Sequence, residues 1–115
     1  MIVNIKREPC DVYCGRIENS FEIKLKVKDW DIKSPEESGL DGYFGNPHKV
    51  GYCGICREIH SRSEAILKFK EYFYRRMAND SKFRRRIEML RNKRLGCFCA
   101  PSPCHVNIIE EYLNI

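Results

Sequence analysis

The segment from Leu95 to His105 constrains the chain most strongly, because it places three thiols and one imidazole within nine residues. Its start is typical of a short strand, whose alternation puts Cys97 and Cys99 on the same face. The two prolines that follow cannot continue strand hydrogen bonding, and a serine before the second proline is typical of a helix start. We therefore predict a strand that ends near Cys99, a tight loop, and a helix that opens at Cys104 and His105.

The first turn of this helix carries candidate chemistry. Unpaired N–H groups and the helix dipole stabilise an anion there, so we expect the pKa of Cys104 to fall toward the thiolate form. We interpret Cys104 as a candidate nucleophile and His105 as its acid/base partner. The same arrangement suits a metal ligand or an anion site, and the three uses stay open at this point.

The overall composition limits the compartment and the partners. The chain has 115 residues, enough for one domain with a single core, and its net charge of +5 favours anionic partners. No stretch approaches the ~20 apolar residues of a membrane span, and the N-terminus lacks a secretory signal. We therefore expect a cytoplasmic protein without membrane contact, in which the seven cysteines are reduced thiols, metal ligands or catalytic groups.

A second cysteine pair, Cys53-Gly54-Ile55-Cys56, has the spacing of a zinc-knuckle half-site. Tetrahedral zinc sites are commonly assembled from two short-spaced pairs, so the second pair is expected in the C-terminal segment. An alternative is that Cys53 and Cys56 are unpaired surface thiols. The predicted zinc ligands are Cys53 and Cys56 with Cys97 and Cys99, and Cys104 or His105 are the alternates.

Three segments carry a family resemblance. Lys93 to His105 resembles the closing motif of the domain of unknown function 4326 family, found in phages and bacteria: a basic residue, LGC, an aromatic residue, C, a proline-bearing loop and CH. The segments VNIKRE (3–8), DVY (11–13) and Gly15-Arg16 resemble the opening of that family, and Gly45-Asn46-Pro47 resembles its central GNP. This chain departs from the family pattern at His48, where an aromatic residue is usual.

The resemblance implies a fold and a site rather than an activity. It implies a single α/β domain over residues 1–115, with residues 17–44 as an insertion that the family core lacks. A shorter local pattern, a strand-end cysteine followed by CH at a helix start, is similar to the domain of unknown function 488 family. That similarity would put a carboxylate at Cys99 and makes Cys104-His105 the more general part of the site.

Two further positions are candidate ligand contacts. Arg16 follows a glycine at a predicted strand end, where it is well placed to hold a phosphate or carboxylate, although an exposed arginine on a turn is the plain alternative. The turn at Gly45-Asn46 predicts a pocket wall, and Tyr43 beside it is a candidate for stacking on a base. A purely structural turn is the alternative.

The hydrophobic pattern predicts a small α/β domain with a short central sheet flanked by helices. A capping box at Ser61 and Glu64 predicts the start of a helix that ends near Ala78. In such sheets ligands gather beyond the carboxyl ends of the strands. The other predicted elements are strands at 2–6, 11–14, 21–27 and 94–99, a surface loop at 29–42, and helices from Asp80 or Ser81 to about Asn92 and at 105–113.

The interval from Arg75 to Arg94 carries nine lysines and arginines against two acids. This imbalance predicts contact with a nucleic-acid backbone, and a solvated helix face is the alternative. The candidate contact residues are Arg84, Arg85 and Arg86.

Three functions remain open from the sequence. The first is an enzyme or binding domain for a nucleotide-like or otherwise anionic small molecule, at a pocket lined by cysteine and histidine. The second is a zinc-stabilised nucleic-acid-binding module. The third is a phage accessory protein that binds a host protein. The first is favoured because a Cys-His helix start together with a distant arginine is typical of a pocket.

Overall fold

A three-stranded parallel sheet and a separate two-stranded antiparallel hairpin form the β-structure of the protein. The computed structural model describes residues 1–16 and 20–114. In chain order the elements are β1 (Ile2–Asn4), β2 (Val12–Tyr13), α1 (Phe21–Lys24), α2 (Pro35–Ser38), β3 (Gly51–Cys53), β4 (Glu58–His60), α3 (Arg62–Asn79), α4 (Ser81–Glu88), β5 (Leu95–Cys97) and α5 (Val106–Leu113). This content confirms the predicted α/β class with a short central sheet.

Strand β5 occupies the middle of the parallel sheet, between β1 and β2. Leu95 pairs with Ile2 on one side and with Val12 on the other. Because the three strands run in the same direction, their carboxyl ends meet at one edge. The chain therefore delivers Cys97 and the residues that follow β2 to the same edge.

Helices α3, α4 and α5 provide the main core. Helix α3 begins as predicted, since the Ser61 hydroxyl accepts from the Glu64 N–H and the Glu64 carboxylate accepts from the Ser61 N–H. Helix α4 begins at a second cap, where Asp80 accepts from the N–H of Phe83 at 3.0 Å. The apolar stripes of these helices are buried with the sheet, including Phe69, Phe73, Phe83, Ile87 and Ile109.

The segment predicted as an insertion contributes a second apolar cluster. Val3 belongs to this cluster whereas the preceding Ile2 packs against the main core, as strand alternation requires for opposite faces of β1. The other members are Ile5, Cys10, Tyr13 and Val27, with Ile23, Trp30 and Leu40 packed against them. Residues 23–40 thus bury one side of the sheet rather than decorating its edge.

The predicted strand at 21–27 is wrong. Phe21–Lys24 forms helix α1, and only Val27 makes a bridge, a parallel one to Cys10. Seven residues of strict alternation also contain i, i+4 pairs, so the same pattern fits one turn of helix. The burial resolves the ambiguity, because Phe21 and Leu25 are exposed while Val27 is buried.

Other boundaries shift by a few residues. Helix α4 ends at Glu88, before the predicted Asn92, and the predicted loop at 29–42 contains the short helix α2. Helix α5 begins at Val106, just after the Cys104-His105 pair that was expected to open it. No helix within residues 1–16 and 20–114 has the length and apolar character needed to cross a membrane.

Candidate functional site

A cleft of about 330 Å³ lies at the carboxyl edge of the parallel sheet. The end of β5 and the loop that precedes α5 form one wall, and the residues after β2 form another. The turn before β3 and the first turns of α3 complete it. The lining residues are Tyr13, Gly15, Arg16, Asn46, His48, Val50, Arg62, Ala65, Ile66, Cys97, Phe98, Cys99, Pro103, Cys104 and His105.

The cysteine-rich segment predicted as the centre of the site lies in this cleft. Cys97, Cys99, Cys104 and His105 all line it. The loop between the cysteines is held by Asn4, whose side-chain amide donates to the carbonyls of Ala100 at 2.8 Å and Phe98 at 3.3 Å. The end of β1 therefore fixes the loop that joins β5 to α5.

The hydrogen bond between the two thiols of this segment favours the thiolate on Cys97 rather than on Cys104. A hydrogen bond from the Cys104 thiol, with further bonds from the backbone at Ala100 and Cys99, lowers the pKa of Cys97 to about 6 despite burial. The same thiol–thiol bond, together with burial, raises the pKa of Cys104. The predicted fall in the pKa of Cys104 is therefore wrong, because this thiol donates its hydrogen bond to Cys97 and is itself buried.

The His105 ring joins three parts of the fold. Its Nε2 lies 2.7 Å from the carbonyl oxygen of Cys14 and 3.0 Å from that of Phe44. Because carbonyl oxygens only accept, Nε2 carries the proton and Nδ1 carries the lone pair. Burial lowers the pKa of His105, so the ring is neutral at pH 7. Nδ1 is then the ring atom left for acid/base chemistry.

The charge of the cleft comes from two arginines. Arg16 is exposed at the end of the segment after β2, and Arg62 in the first turn of α3 donates to the Pro103 carbonyl at 3.2 Å. Among the described residues that line the cleft there is no carboxylate. The cleft therefore presents positive charge without an acidic counterpart, which favours an anionic ligand.

Asn46 lines the cleft, whereas Gly45 beside it does not and has a structural role. A Cβ on Gly45 would lie 3.0 Å from the Gly15 carbonyl oxygen, so this glycine allows the turn to pack against the chain before Arg16. The Asn46 amide donates to the Ala65 carbonyl at 3.0 Å, and its oxygen accepts from the His48 N–H at 2.9 Å. The turn thus braces the cleft wall.

Tyr43 is not among the described residues that line the cleft. Two guanidinium groups lie over its ring, with that of Arg86 3.8 Å and that of Arg76 4.9 Å from the ring centroid. These contacts engage the ring within the fold and away from the cleft, and stacking of Tyr43 on a base stays a prediction.

Part of the basic interval from Arg75 to Arg94 makes contacts inside the fold. Arg86 is 7% exposed and donates to the Asp41 carboxylate at 3.0 Å and to the Glu36 carbonyl at 2.9 Å. Arg84 and Arg85 stay exposed, although Arg84 also donates to the Met77 carbonyl. Arg86 is therefore unavailable to the nucleic-acid contact predicted for all three arginines.

A second cluster of chemistry-bearing side chains lies on the β3–β4 hairpin. His48, Cys53, Cys56 and His60 place one ligand atom each within 4.8 Å of one another. His48 Nδ1 lies 3.5 Å from each of the two sulfurs. These four residues are close enough to hold a metal ion.

The distances from His48 to the two sulfurs, and the donor types of the cluster, fit a tetrahedral ion. A sulfur about 2.3 Å and a nitrogen about 2.0 Å from one ion lie about 3.5 Å apart at tetrahedral angles. Both ring nitrogens of His60 are buried and have no hydrogen-bond partner among the described residues. Backbone N–H groups, that of Cys56 first, lower the pKa of Cys53 to about 6, so this sulfur is ready to coordinate as a thiolate.

The hairpin has no apolar core of its own. Within residues 47–60, all of which the structure describes, the two buried residues are the candidate ligands Cys53 and His60. The large apolar side chains of the hairpin face solvent instead, with Tyr52 62%, Ile55 63% and Ile59 77% exposed. Two-stranded hairpins are marginally stable in water, so this one needs another source of stability.

The sequence prediction found half of this cluster. Cys53 and Cys56 were identified, but the structure groups them with His48 and His60, and Cys97, Cys99, Cys104 and His105 lie outside the group. The missed signal was the spacing H-x₄-C-x₂-C-x₃-H, which places four donors within 13 residues. Two histidines flanking a C-x-x-C pair form a complete local set, so no distant pair is needed.

Comparison with known proteins finds a family and a relative from a phage. It is 38% identical over 71 residues to the "Uncharacterized 12.4 kDa protein in nrdA-td intergenic region" of Enterobacteria phage T4. The match covers 60% of this chain and 66%, just under two thirds, of the phage protein. No solved structure gives a significant match. The weaker similarity to the domain of unknown function 488 family stays a prediction. Residues 3–115 match the family described as Domain of unknown function (DUF4326), so the chain belongs to that family.

Proposed function

We propose that this protein binds an anionic, nucleotide-like small molecule in the cleft at the carboxyl edge of the sheet. The observation that carries the proposal is that one cleft is lined by Arg16, Arg62 and the cysteine segment that contains Cys97. Its volume of about 330 Å³ is at the small end of ligand pockets, which suits a phosphate-bearing metabolite rather than a polymer.

The two arginines supply the anion site. A guanidinium pairs with phosphate or carboxylate oxygens through two parallel hydrogen bonds, and the cleft offers no carboxylate among its described lining residues to compete for them. The net charge of +5 adds long-range attraction for the same class of ligand.

Cys97 gives the cleft a nucleophile. A thiol with a pKa of about 6 is mostly ionised at pH 7, and the thiolate is the reactive form. His105, neutral and fixed through Nε2, lines the same cleft and is the candidate group for proton transfer.

Protection of Cys97 from iodoacetamide tests the ligand class. Inorganic phosphate and a nucleoside monophosphate should each slow alkylation of Cys97, measured on its peptide by mass spectrometry. Arg16→Met and Arg62→Met should each weaken the protection about tenfold or more, since a hydrogen bond to a charged group contributes about 1.5–3 kcal/mol.

Arg85→Met is the matched control, because Arg85 is an exposed arginine outside the cleft. In this variant both anions should protect Cys97 as well as they do in the wild type. Equal alkylation rates with and without both anions, up to millimolar concentration, would refute the proposal.

We further propose that the His48, Cys53, Cys56 and His60 cluster holds zinc. Two thiolates and two imidazoles form a donor set that suits zinc, and four protein ligands leave no open position, as in structural sites. The buried, unpartnered ring nitrogens of His60 support this proposal, because they otherwise carry a desolvation penalty with no compensation.

Elemental analysis of protein purified without added metal should give one zinc per chain. Cys56→Ser should reduce the zinc content, whereas Cys99→Ser, which changes a cysteine outside the cluster, should not. A metal-free wild type that does not take up added zinc would refute this assignment.

A further inference from the structure

We propose that the metal ion on the hairpin also shapes the cleft, so that anion binding beside Cys97 requires an occupied metal site. This inference rests on the proposed function, because it assigns a metal dependence to the same cleft. It follows from residues that belong to both sites or connect them directly.

His48 is the shared residue. Its Nδ1 is one of the four candidate ligand atoms, and the same residue lines the cleft together with Val50 on the next turn of chain. The backbone N–H of His48 donates to Asn46, whose amide in turn donates to Ala65, and both of these residues line the cleft. An ion held by His48 therefore fixes this wall through two hydrogen bonds.

His60 connects the ion to the end of strand β4, where the hairpin leads into α3. It is 3% exposed and immediately precedes Ser61, the N-cap of α3. The first residue of α3 is Arg62, which lines the cleft and donates to the Pro103 carbonyl next to Cys104. One ion bound by His48 and His60 would thus hold two walls of the cleft at a fixed separation.

Apart from the hydrogen bond between Asn46 and Ala65, the packing of the hairpin does little to maintain that separation. Its strands β3 and β4 are three residues each, and its large apolar residues Tyr52, Ile55 and Ile59 face solvent. Removal of the ion should therefore loosen residues 48–60 first. The main core of helices α3, α4 and α5 does not include the hairpin, so it should keep its structure.

The test uses chelator-buffered zinc and the full chain. At each zinc concentration three quantities are measured: bound zinc, far-ultraviolet circular dichroism, and protection of Cys97 from iodoacetamide by inorganic phosphate. We expect the phosphate protection to fall at least tenfold as zinc is removed, to return with added zinc, and to do so while the helical signal is retained.

A variant with altered metal affinity gives a second measurement. Cys56→Ser leaves three donors, so its phosphate protection should shift to higher zinc concentrations in parallel with zinc binding. Cys10→Ala changes a cysteine that belongs neither to the four donors nor to the lining of the cleft, so its zinc dependence should equal that of the wild type.

The outcomes separate the inference from the proposals beneath it. Unchanged phosphate protection in zinc-free, helical protein would overturn the inference and leave both proposals standing. Loss of the helical signal together with protection would overturn it as well, because the ion would then stabilise the whole fold. Zinc binding without phosphate protection at any concentration would refute the proposed ligand, and protection without zinc binding would refute the metal assignment.

Discussion

The Nε2 atom of His105 lies 2.7 Å from the carbonyl oxygen of Cys14, so a side chain at the start of α5 satisfies the backbone beyond the end of β2. The ring is neutral and largely buried, and burial lowers the pKa of His105 below its ordinary value near 6.5. Protonation would put a charge into a site that already uses Nε2–H as a donor to two carbonyls.

The first prediction follows from this depressed pKa. The unfolded chain binds the proton at His105 more readily than the folded chain, so the free energy of unfolding should fall as the pH drops below about 6.5. His105→Gln keeps an N–H donor without the titration, so its loss of stability on acidification should be smaller. Urea denaturation of both proteins at neutral and mildly acidic pH gives the difference. An equal pH dependence in the two proteins would contradict the assignment.

The second prediction concerns the thiol pair. Cys104→Ala removes the largest cause of the low pKa of Cys97, so that pKa should rise from about 6 toward the ordinary thiol value near 8.5. The rate of Cys97 alkylation at neutral pH should fall accordingly. The measurement is the pH dependence of alkylation, resolved by peptide. Cys99→Ala is the control and should leave the midpoint near the wild-type value, whereas an unshifted midpoint in Cys104→Ala would refute the proton-sharing arrangement.

Some of this architecture could be predicted because the signals are local. The Ser61–Glu64 capping box lies within one turn of helix, so its sequence pattern was sufficient to identify the start of α3. The strand at Leu95–Cys97 and the breakers after it are similarly local. These elements are where the sequence prediction and the structure agree most closely.

Other features depend on partners distant in sequence. The pKa of Cys104 could not be predicted from its place near a helix start, because Cys97 and the backbone at Ala100 determine where the negative charge lies. The surroundings of Tyr43 depend on Arg86, which is 43 residues away in the chain and whose guanidinium lies 3.8 Å from the centroid of the ring that was expected to stack on a base. A local sequence pattern identifies such residues, but it does not identify the residues that contact them in the folded chain.

The third prediction separates a metal ligand from an ordinary buried histidine at His60. If no metal binds, His60→Leu should be neutral or stabilising, because it removes two buried ring nitrogens that lack partners among the described residues. If zinc binds, the same change removes a ligand, so the melting temperature should fall by several degrees and become insensitive to chelator. Calorimetry of both proteins with and without chelator makes the comparison, and a more stable variant with full zinc content would refute the ligand role.

The fourth prediction tests the packing at the centre of the sheet. A Cβ at Gly96 would lie 2.5 Å from the Cys10 sulfur and 2.7 Å from Ile5 Cγ2, so Gly96→Ala should cost about 1–3 kcal/mol of stability. Gly54→Ala is the matched control, because no heavy atom lies within 4 Å of its added Cβ. Its effect should stay within about 0.5 kcal/mol. Denaturant midpoints measure both, and equal effects would show that the strand moves to admit the methyl group.

The last prediction assigns Arg86 to the fold rather than to a nucleic-acid surface. Arg86→Met keeps an apolar stem but leaves Asp41 without the guanidinium that now lies 3.0 Å from its carboxylate. Breaking a buried ion pair costs about 3–5 kcal/mol, and the partial exposure of Asp41 puts this case near the lower end, at about 3 kcal/mol.

Arg85→Met provides the contrast, because Arg85 is the next residue in the chain and is exposed. Its effect on stability should stay within about 0.5 kcal/mol, whereas any electrostatic contact with a nucleic-acid backbone should weaken in this variant and show a reduced salt dependence. Denaturant unfolding and salt titration of nucleic-acid binding therefore separate the two adjacent arginines. If Arg86→Met retained wild-type stability and lost only nucleic-acid affinity, the interior role of Arg86 would be refuted.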